Sequence, residues 1–253
     1  MSAICNKAKD RLNDLIDSEN DQNCNFPDTS NWQIITSNTS GYIEDISLKT
    51  ILDETNEHEI KVDIIAYKGQ YIFKESPLFK IENKLNKQAV DNMLSAFTFS
   101  KSEFIENNYI LGFKQLTEIA VKAMSPGIND PGTAINAIDY ITELFLLRMQ
   151  KGDGNYCCND SEEAVIKLKN INFETLLYQV MASLRTYCKK DVIIVQKLIQ
   201  MLGLLLKNSK CKVINYKKAV TKEIDNLCQD ALKALENETD KETIKKLVES
   251  MEV

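Results

Sequence analysis

The stretch that decides the fold of this chain reads Ala123-Met124-Ser125-Pro126-Gly127-Ile128-Asn129-Asp130-Pro131-Gly132-Thr133-Ala134. It lies between two segments of helical periodicity and contains four of the chain's twelve glycines and prolines. A residue before proline avoids the helical region, so Ser125-Pro126 ends the first helix. Asp130-Pro131 then starts the second helix, because aspartate caps free N–H groups and proline suits the first helical position. The sequence predicts a rigid turn between two helices.

The same turn is a candidate ligand site. A helix start presents N–H donors and a positive dipole, which suits a phosphate, nucleotide or carboxylate. Gly127 can take a positive φ where other residues cannot. The candidate ligand-binding residues are Lys122, Ser125, Gly127, Asn129, Asp130 and Thr133. The alternative is a purely structural corner, which the residues alone favour because a capping Asp130 competes with an anion.

Composition sets the class of protein around this turn. The 253 residues are 43% hydrophobic and 27% charged, which is typical of a soluble globular chain with a sizeable core. The formal charge of -6 argues against general nucleic-acid binding, although a local lysine patch leaves a nucleic-acid ligand open. That patch comprises Lys207, Lys210, Lys212, Lys217 and Lys218.

Cysteine and histidine usage argues against a metal centre. The seven cysteines are scattered without a CxxC pair, and His58 is the single histidine. Zinc-ligand spacing is therefore missing, and we expect no metal and no cofactor. His58 lies at a helix-to-strand junction, where a surface or capping role is more common than ligation. A chain of this length with unpaired cysteines indicates a reducing, cytoplasmic compartment.

Hydrophobic patterning predicts an α+β fold that is mainly α, with a small β-rich module followed by a larger helical domain. Residues 1–30 form an amphipathic helix and a loop, residues 31–84 the β-rich module and residues 85–253 the helical domain. Within the module, Ser47 is the expected N-cap of a short helix. We place the later helices at 85–98, 103–124, 131–150, 172–189, 191–207, 213–235 and 239–250, with one clear loop at Gly152–Asp160. The most apolar stretch, Val192–Leu206, is too short and too polar to span a bilayer.

The segment from Leu111 to Ala134 resembles the signature of domain of unknown function 2254, a bacterial family of predicted membrane proteins. The signature has a helix ending in Ile-Ala, then basic-Ala-Leu-Ser-Pro-Gly-x-Asn-Asp-Pro-x-Thr-Ala. The resemblance extends to Ser40-Gly41-Tyr42-Ile43, Lys68-Gly69-Gln70-Tyr71-Ile72 and Ser183-Leu184-Arg185-Thr186-Tyr187. Here Lys122 stands where the family usually has arginine.

The resemblance implies a membrane association that the chain itself does not predict. Members of the family usually carry transmembrane helices before this region, and this chain has none. It is either a fragment of a longer protein or a stand-alone version. In the first case, the membrane contact is made through a missing or separate N-terminal segment, with the helix Ala3–Asp17 emerging from the bilayer.

Three functions follow as hypotheses. The first is a regulatory or sensing cytoplasmic domain of a homo-oligomeric membrane protein, such as a channel or pore-like effector gated by a ligand, at the inner face of the cell membrane. The second is an interaction scaffold with a purely structural motif. The third is a hydrolase or transferase acting at the Ser125–Asp130 turn. We expect that the chain is not an enzyme, because the sequence shows no evident general base of suitable pKa.

Overall fold

A computed structural model describes residues 1–17, 26–101, 105, 108–154 and 156–251. The helices are α1 (Ser2–Asp17), α2 (Leu48–His58), α3 (Lys87–Ser95), α4 (Tyr109–Ala123), α5 (Pro131–Arg148), α6 (Phe173–Cys188), α7 (Val192–Leu206), α8 (Ile214–Ala234) and α9 (Glu238–Glu249). The strands are β1 (Gln33–Thr36), β2 (Gly41–Ile46), β3 (Val62–Ile64), β4 (Tyr71–Ile72), β5 (Pro77–Ile81), β6 (Phe97–Ser100), β7 (Tyr156–Cys158) and β8 (Ala164–Leu168). The predicted α+β, mainly α class is confirmed.

The described residues group into two compact units. The helical unit draws on Met1–Glu19, Tyr109–Gly152 and Asn172–Val253, and the β unit on Asn20–Asn108 and Asp153–Ile171. The β unit is therefore built from two chain segments separated by α4 and α5. The domain boundaries predicted at residues 30 and 84 stay a prediction, since contacts between elements do not measure which segments fold independently.

The β unit contains two sheets. The larger has the order β1-β5-β3-β8-β7, in which β3 and β8 run parallel and the other neighbours antiparallel. The smaller has the order β4-β2-β6. Both contribute to one apolar core, in which the rings of Phe79 and Phe97 stack with centroids 5.6 Å apart. Ser47 caps α2 as predicted, accepting from the Thr50 N–H.

Two local predictions in this unit miss a strand. The helix expected near 85–98 is present as α3, but it ends at Ser95 and Phe97 begins strand β6, because pairing with β2 outweighs the local helical pattern. The loop expected at Gly152–Asp160 contains strand β7, which pairs with β8 through Cys157 and Ile166. Strand β8 was not predicted from the sequence.

The helical unit is packed around an aromatic row. Ring centroids lie 4.5 Å apart between Phe113 and Phe145, 5.9 Å between Phe145 and Phe173, and 4.4 Å between Phe173 and Tyr216. These rings join α4, α5, α6 and α8 in one core. Helix bounds in this unit follow the sequence prediction closely, except that α4 begins at Tyr109. Residues 103, 104, 106 and 107 of the predicted helix 103–124 lie outside the described residues.

Helix α1 docks on α4 and α5 with Cys5, Ala8 and Leu12 buried. The approach to α4 is close: a Cβ added at Gly112 would lie 2.6 Å from the Cβ of Ala8. Glycine is thus required at this position for the two helices to meet. Across the described part of the chain, no helix combines the length and apolar composition that crossing a bilayer requires.

Candidate functional site

The predicted turn is a compact corner between α4 and α5, which we call the α4–α5 corner (residues 125–130). Its backbone closes on itself: the N–H groups of Ile128 and Asn129 both donate to the Ser125 carbonyl at 3.0 Å. The Asp130 N–H donates to the Ala123 carbonyl at 2.8 Å. These bonds join the end of α4 directly to the start of α5, so the corner is rigid.

The polar side chains of the corner serve as helix caps. The Ser125 hydroxyl donates to the Lys122 carbonyl at 2.7 Å, at the end of α4. The Asp130 carboxylate accepts from the Thr133 N–H at 3.0 Å and from the Thr133 hydroxyl at 2.6 Å, at the start of α5. The predicted Asp130 cap is confirmed.

Capping also fixes the charge of Asp130. The Thr133 hydroxyl, followed by the Thr133 N–H, lowers the pKa of this carboxyl below its ordinary value of 3.8. The carboxylate is therefore ionised at neutral pH, and its negative charge lies at the positive end of the α5 dipole. An anionic ligand at this helix start would meet a carboxylate already in place.

The backbone role expected of Gly127 belongs to Asn129. Asn129 has φ 49°, in the left-handed region, whereas Gly127 is not among the positive-φ residues. A Cβ added at Gly127 would meet no atom within 4 Å. The freedom of Gly127 to take a positive φ is therefore not used, and the left-handed position falls on Asn129, since asparagine is one of the few other residues that tolerate this conformation.

The corner is an exposed feature. Residues 126–130 are all exposed, and Ile128 keeps 51% of its surface accessible to solvent. The six predicted ligand-binding residues do lie on one short stretch. The Ser125 hydroxyl is engaged with the Lys122 carbonyl, however, and the Asp130 carboxylate with Thr133. The arrangement can present a fixed surface to a partner.

Comparison with known proteins identifies the family of the chain. The sequence profile of domain of unknown function 2254, a family of predicted membrane proteins, matches residues 1–203. The chain belongs to this family. The resemblance carried by the corner sequence is confirmed at the level of the family.

Curated relatives are uncharacterised proteins from Mycobacterium bovis and from two strains of Mycobacterium tuberculosis. Each is 24% identical over 138 residues, which is 54% of this chain and 26% of the relative. The chain thus matches about a quarter of the length of these relatives. No solved structure matches it.

A buried arginine of this family member was missed by sequence reasoning. Arg148, at the end of α5, is 1% exposed. Its Nε donates to the Tyr109 hydroxyl at 3.1 Å and its Nη1 to the Lys151 carbonyl at 2.9 Å, while its guanidinium lies 5.7 Å from the Tyr216 ring centre. A buried charge needs such partners. Its burial could have been predicted from its position in the helix, because residue 148 continues the apolar face of Ile141 and Leu144.

A second buried charge links α6 and α8. Arg185 contacts the carboxylate of Glu223, which is 3% exposed, and its Nε lies 3.3 Å from Asp230. Burial raises the pKa of Glu223, and Arg185 opposes that rise. The two partners are 38 residues apart, so no local spacing could have paired them.

Among the described residues, one cluster has side chains of the types that bind metals. Glu54, Glu57 and His58 on α2 place three ligand atoms within 4.8 Å of one another. The His58 Nε2 lies 3.5 Å from Glu54, whose other carboxylate oxygen accepts from Asn92 at 2.7 Å. An ordinary i,i+4 pair explains this geometry, so the expectation of no metal stays a prediction.

Proposed function

We propose that this chain is a regulatory, cytoplasmic part of an oligomeric membrane protein, and that copies meet through the α4–α5 corner. The observation that carries the proposal is a corner whose residues 126–130 are all exposed and which is nevertheless fixed by its own hydrogen bonds. Membership of a family of predicted membrane proteins supports the membrane link. The free cysteines that the structure describes fit a reducing compartment.

Rigidity favours the corner as a contact surface. Association loses free energy whenever loops and side chains must be ordered at the interface. Here Pro126 and Pro131 fix two φ angles, and the Ser125 carbonyl accepts two backbone N–H groups. A partner that binds this corner orders little that is not already ordered.

The chemistry of the corner favours a protein partner over a small anion. Its tip consists of Pro126, Gly127 and Ile128, which offer apolar and backbone surface. The ionised Asp130 occupies the helix start that an anion or nucleotide would use. The small anionic or nucleotide ligand expected from sequence stays a prediction, and on this proposal the corner transmits a gating signal between copies.

The membrane-embedded part of the assembly is, on this proposal, supplied by other segments or subunits. The match to about a quarter of each mycobacterial relative fits a domain of a larger protein. An exposed, rigid corner on such a domain can couple its movement to neighbouring copies. Opening and closing of a channel or pore-like effector would then follow the packing of the corners.

Oligomeric state tests the proposal. Light scattering and native mass spectrometry of the purified chain should give a defined oligomer. Ile128→Glu should shift that oligomer toward monomer at unchanged melting temperature, because the side chain is exposed and a charge there opposes apolar contact. Ile193→Glu is the matched control, since Ile193 is 55% exposed on α7.

Two outcomes would contradict the proposal. A monomeric wild-type chain at every accessible concentration removes the contact between copies. Equal dissociation by Ile128→Glu and Ile193→Glu would show that added charge, and not the corner, controls assembly. An unexpected bound mass in native spectra would instead identify the ligand class.

A further inference from the structure

Charge is strongly segregated at the connection between α7 and α8. From Val192 to Lys222 the chain carries seven lysines and no aspartate or glutamate, although acidic residues outnumber basic ones, 37 to 31, overall. Lys197 pairs with Asp139 and Lys222 with Glu174. The same stretch contains the sequence patch of Lys207, Lys210, Lys212, Lys217 and Lys218.

These five lysines lie on one short feature, which we call the α7–α8 corner (residues 204–218). It is fixed to the end of α5: the Lys212 N–H donates to the Met149 carbonyl at 2.9 Å, and the Asn208 amide to the Leu146 carbonyl at 3.1 Å. Within it, the Lys210 N–H donates to the Asn208 side chain at 3.0 Å. The lysines are therefore presented from an anchored surface.

Apolar side chains project from the same corner. Ile214, the first residue of α8, is 79% exposed, and Leu204, in the last turn of α7, is 54% exposed. Lys217 and Lys218 follow Ile214 at i+3 and i+4, so these three residues share one face of α8. An aliphatic side chain surrounded by lysines is the arrangement of interfacial anchors, which insert apolar groups between anionic headgroups.

The start of α8 adds positive potential. Val213 is its N-cap and provides no side-chain hydrogen bond to the first turn, in contrast to the Asp130 carboxylate that caps α5. The positive end of the α8 dipole therefore adds to the lysine charge. The sequence predicts an anionic ligand at the start of α5. The α7–α8 corner is more favourable for an anion, because it has lysines and no capping carboxylate at the helix start.

We propose that the α7–α8 corner docks on the headgroup surface of an anionic bilayer, with Ile214 inserted and the lysines on lipid phosphates. The inference rests on the proposed membrane assembly and names the surface that this chain meets. Charge complementarity selects an anionic partner, and the exposed Ile214 selects a bilayer over nucleic acid, which is bound through phosphates and base edges.

Vesicle co-sedimentation of the purified full chain tests the proposal. The chain should bind vesicles of phosphatidylcholine mixed with phosphatidylglycerol, and not vesicles of phosphatidylcholine alone. Binding should weaken as salt rises, because the Debye length shortens. Each lysine near an anionic surface strengthens binding about fivefold, so Lys217→Gln with Lys218→Gln should weaken it about thirtyfold.

Two further variants separate specific docking from general charge. Lys245→Gln with Lys246→Gln, an adjacent exposed pair on α9, makes the same change in net charge and should leave binding unaltered. Ile214→Ser keeps every charge and should weaken vesicle binding while leaving the melting temperature unchanged.

The proposal is overturned if the folded wild-type chain does not bind anionic vesicles, or if the α9 pair matters as much as the α8 pair. Binding to a DNA oligonucleotide without vesicle binding would assign the corner to nucleic acid. Vesicle binding is measured independently of self-association. A monomer that binds vesicles would refute the α4–α5 contact alone, and an oligomer that does not would refute this inference alone.

Discussion

At the scale of single residues, Asn129 carries the backbone strain of the α4–α5 corner. Its φ of 49° lies in the left-handed region, and its N–H is tied to the Ser125 carbonyl. Asparagine tolerates this region, whereas a β-branched residue does not. Gly127, two positions earlier, has neither a positive φ nor a crowded Cβ position.

This distinction predicts that the same substitution destabilises the chain at Asn129 and has little effect at Gly127. Asn129→Val should lower the free energy of unfolding by about 1–2 kcal/mol, because valine is strained at positive φ. Asn129→Gly should be close to neutral. Gly127→Val, the matched control, should change stability by less than about 0.5 kcal/mol, as expected for an exposed site. Urea denaturation measures all three, and a larger loss at Gly127 would show the strain to be there.

Sequence alone predicted the capping residue of this corner but not its strained one. Asp130-Pro131 is a local signal that needs no tertiary information. The left-handed residue is selected instead by closure of the corner, where the Asp130 N–H reaches back to the Ala123 carbonyl. Glycine permits a positive φ without requiring it, so the presence of Gly127 does not locate the strained residue.

At the scale of elements, the contact of α1 with α4 depends on the missing side chain of Gly112. The neighbouring Cys5 is fully buried in the same interface. Burial raises the pKa of its thiol to about 11; Lys9 opposes this rise and Glu143 adds to it. The thiol is therefore protonated and inaccessible while α1 stays docked, which makes its reactivity a probe of docking.

Gly112→Ala should loosen α1. Overpacking a close contact costs about 1–3 kcal/mol, against about 1 kcal/mol gained in helix propensity. We expect net destabilisation and an alkylation rate at Cys5 raised at least about fivefold, the factor for about 1 kcal/mol. Peptide mass mapping after pulsed alkylation measures it. Cys188 in α6, whose pKa burial raises to about 12, is the internal control and should stay protected. Equal labelling of both thiols would indicate global unfolding instead.

Helices were predictable from local apolar periodicity, whereas strands that pair with distant segments of the chain were not. The helices after residue 108 follow their apolar spacing, so their bounds were predictable within a few residues. Strand β8 is different, because Ile166 pairs with Val62 across the whole α4–α5 segment. The five residues of β8 carry no local signal that identifies a pairing strand about a hundred positions earlier. Their one local feature is a short apolar run, which is compatible with a strand.

At the scale of the whole molecule, the two units can be followed by different signals. Trp32, the single tryptophan, lies in the β unit with its ring 5.7 Å from that of Phe26. Seven of the nine described helices belong to the helical unit, so far-ultraviolet circular dichroism reports mainly on that unit. Each unit thus has its own spectroscopic probe.

Core truncations should separate these signals. Ile166→Ala removes a fully buried side chain of the larger sheet and should cost about 2–5 kcal/mol, seen first as an earlier tryptophan transition. Leu198→Ala, the matched truncation in α7, should advance the circular dichroism transition instead. Coincident shifts of both signals in both variants would show that the units unfold as one cooperative body.

The inserted position of α4 and α5 has a consequence for biosynthesis. A ribosome releases β1 to β6 first, then the whole α4–α5 hairpin, and only afterwards the strand that covers β3. Until residues 164–168 leave the exit tunnel, β3 is paired on one edge by β5 and open on the other. An open apolar edge recruits foreign strands. In the nascent chain, the free edge of β3 therefore stays exposed for the time needed to translate about one hundred codons after β3. A chaperone that binds the chain during this time would prevent aggregation through that edge.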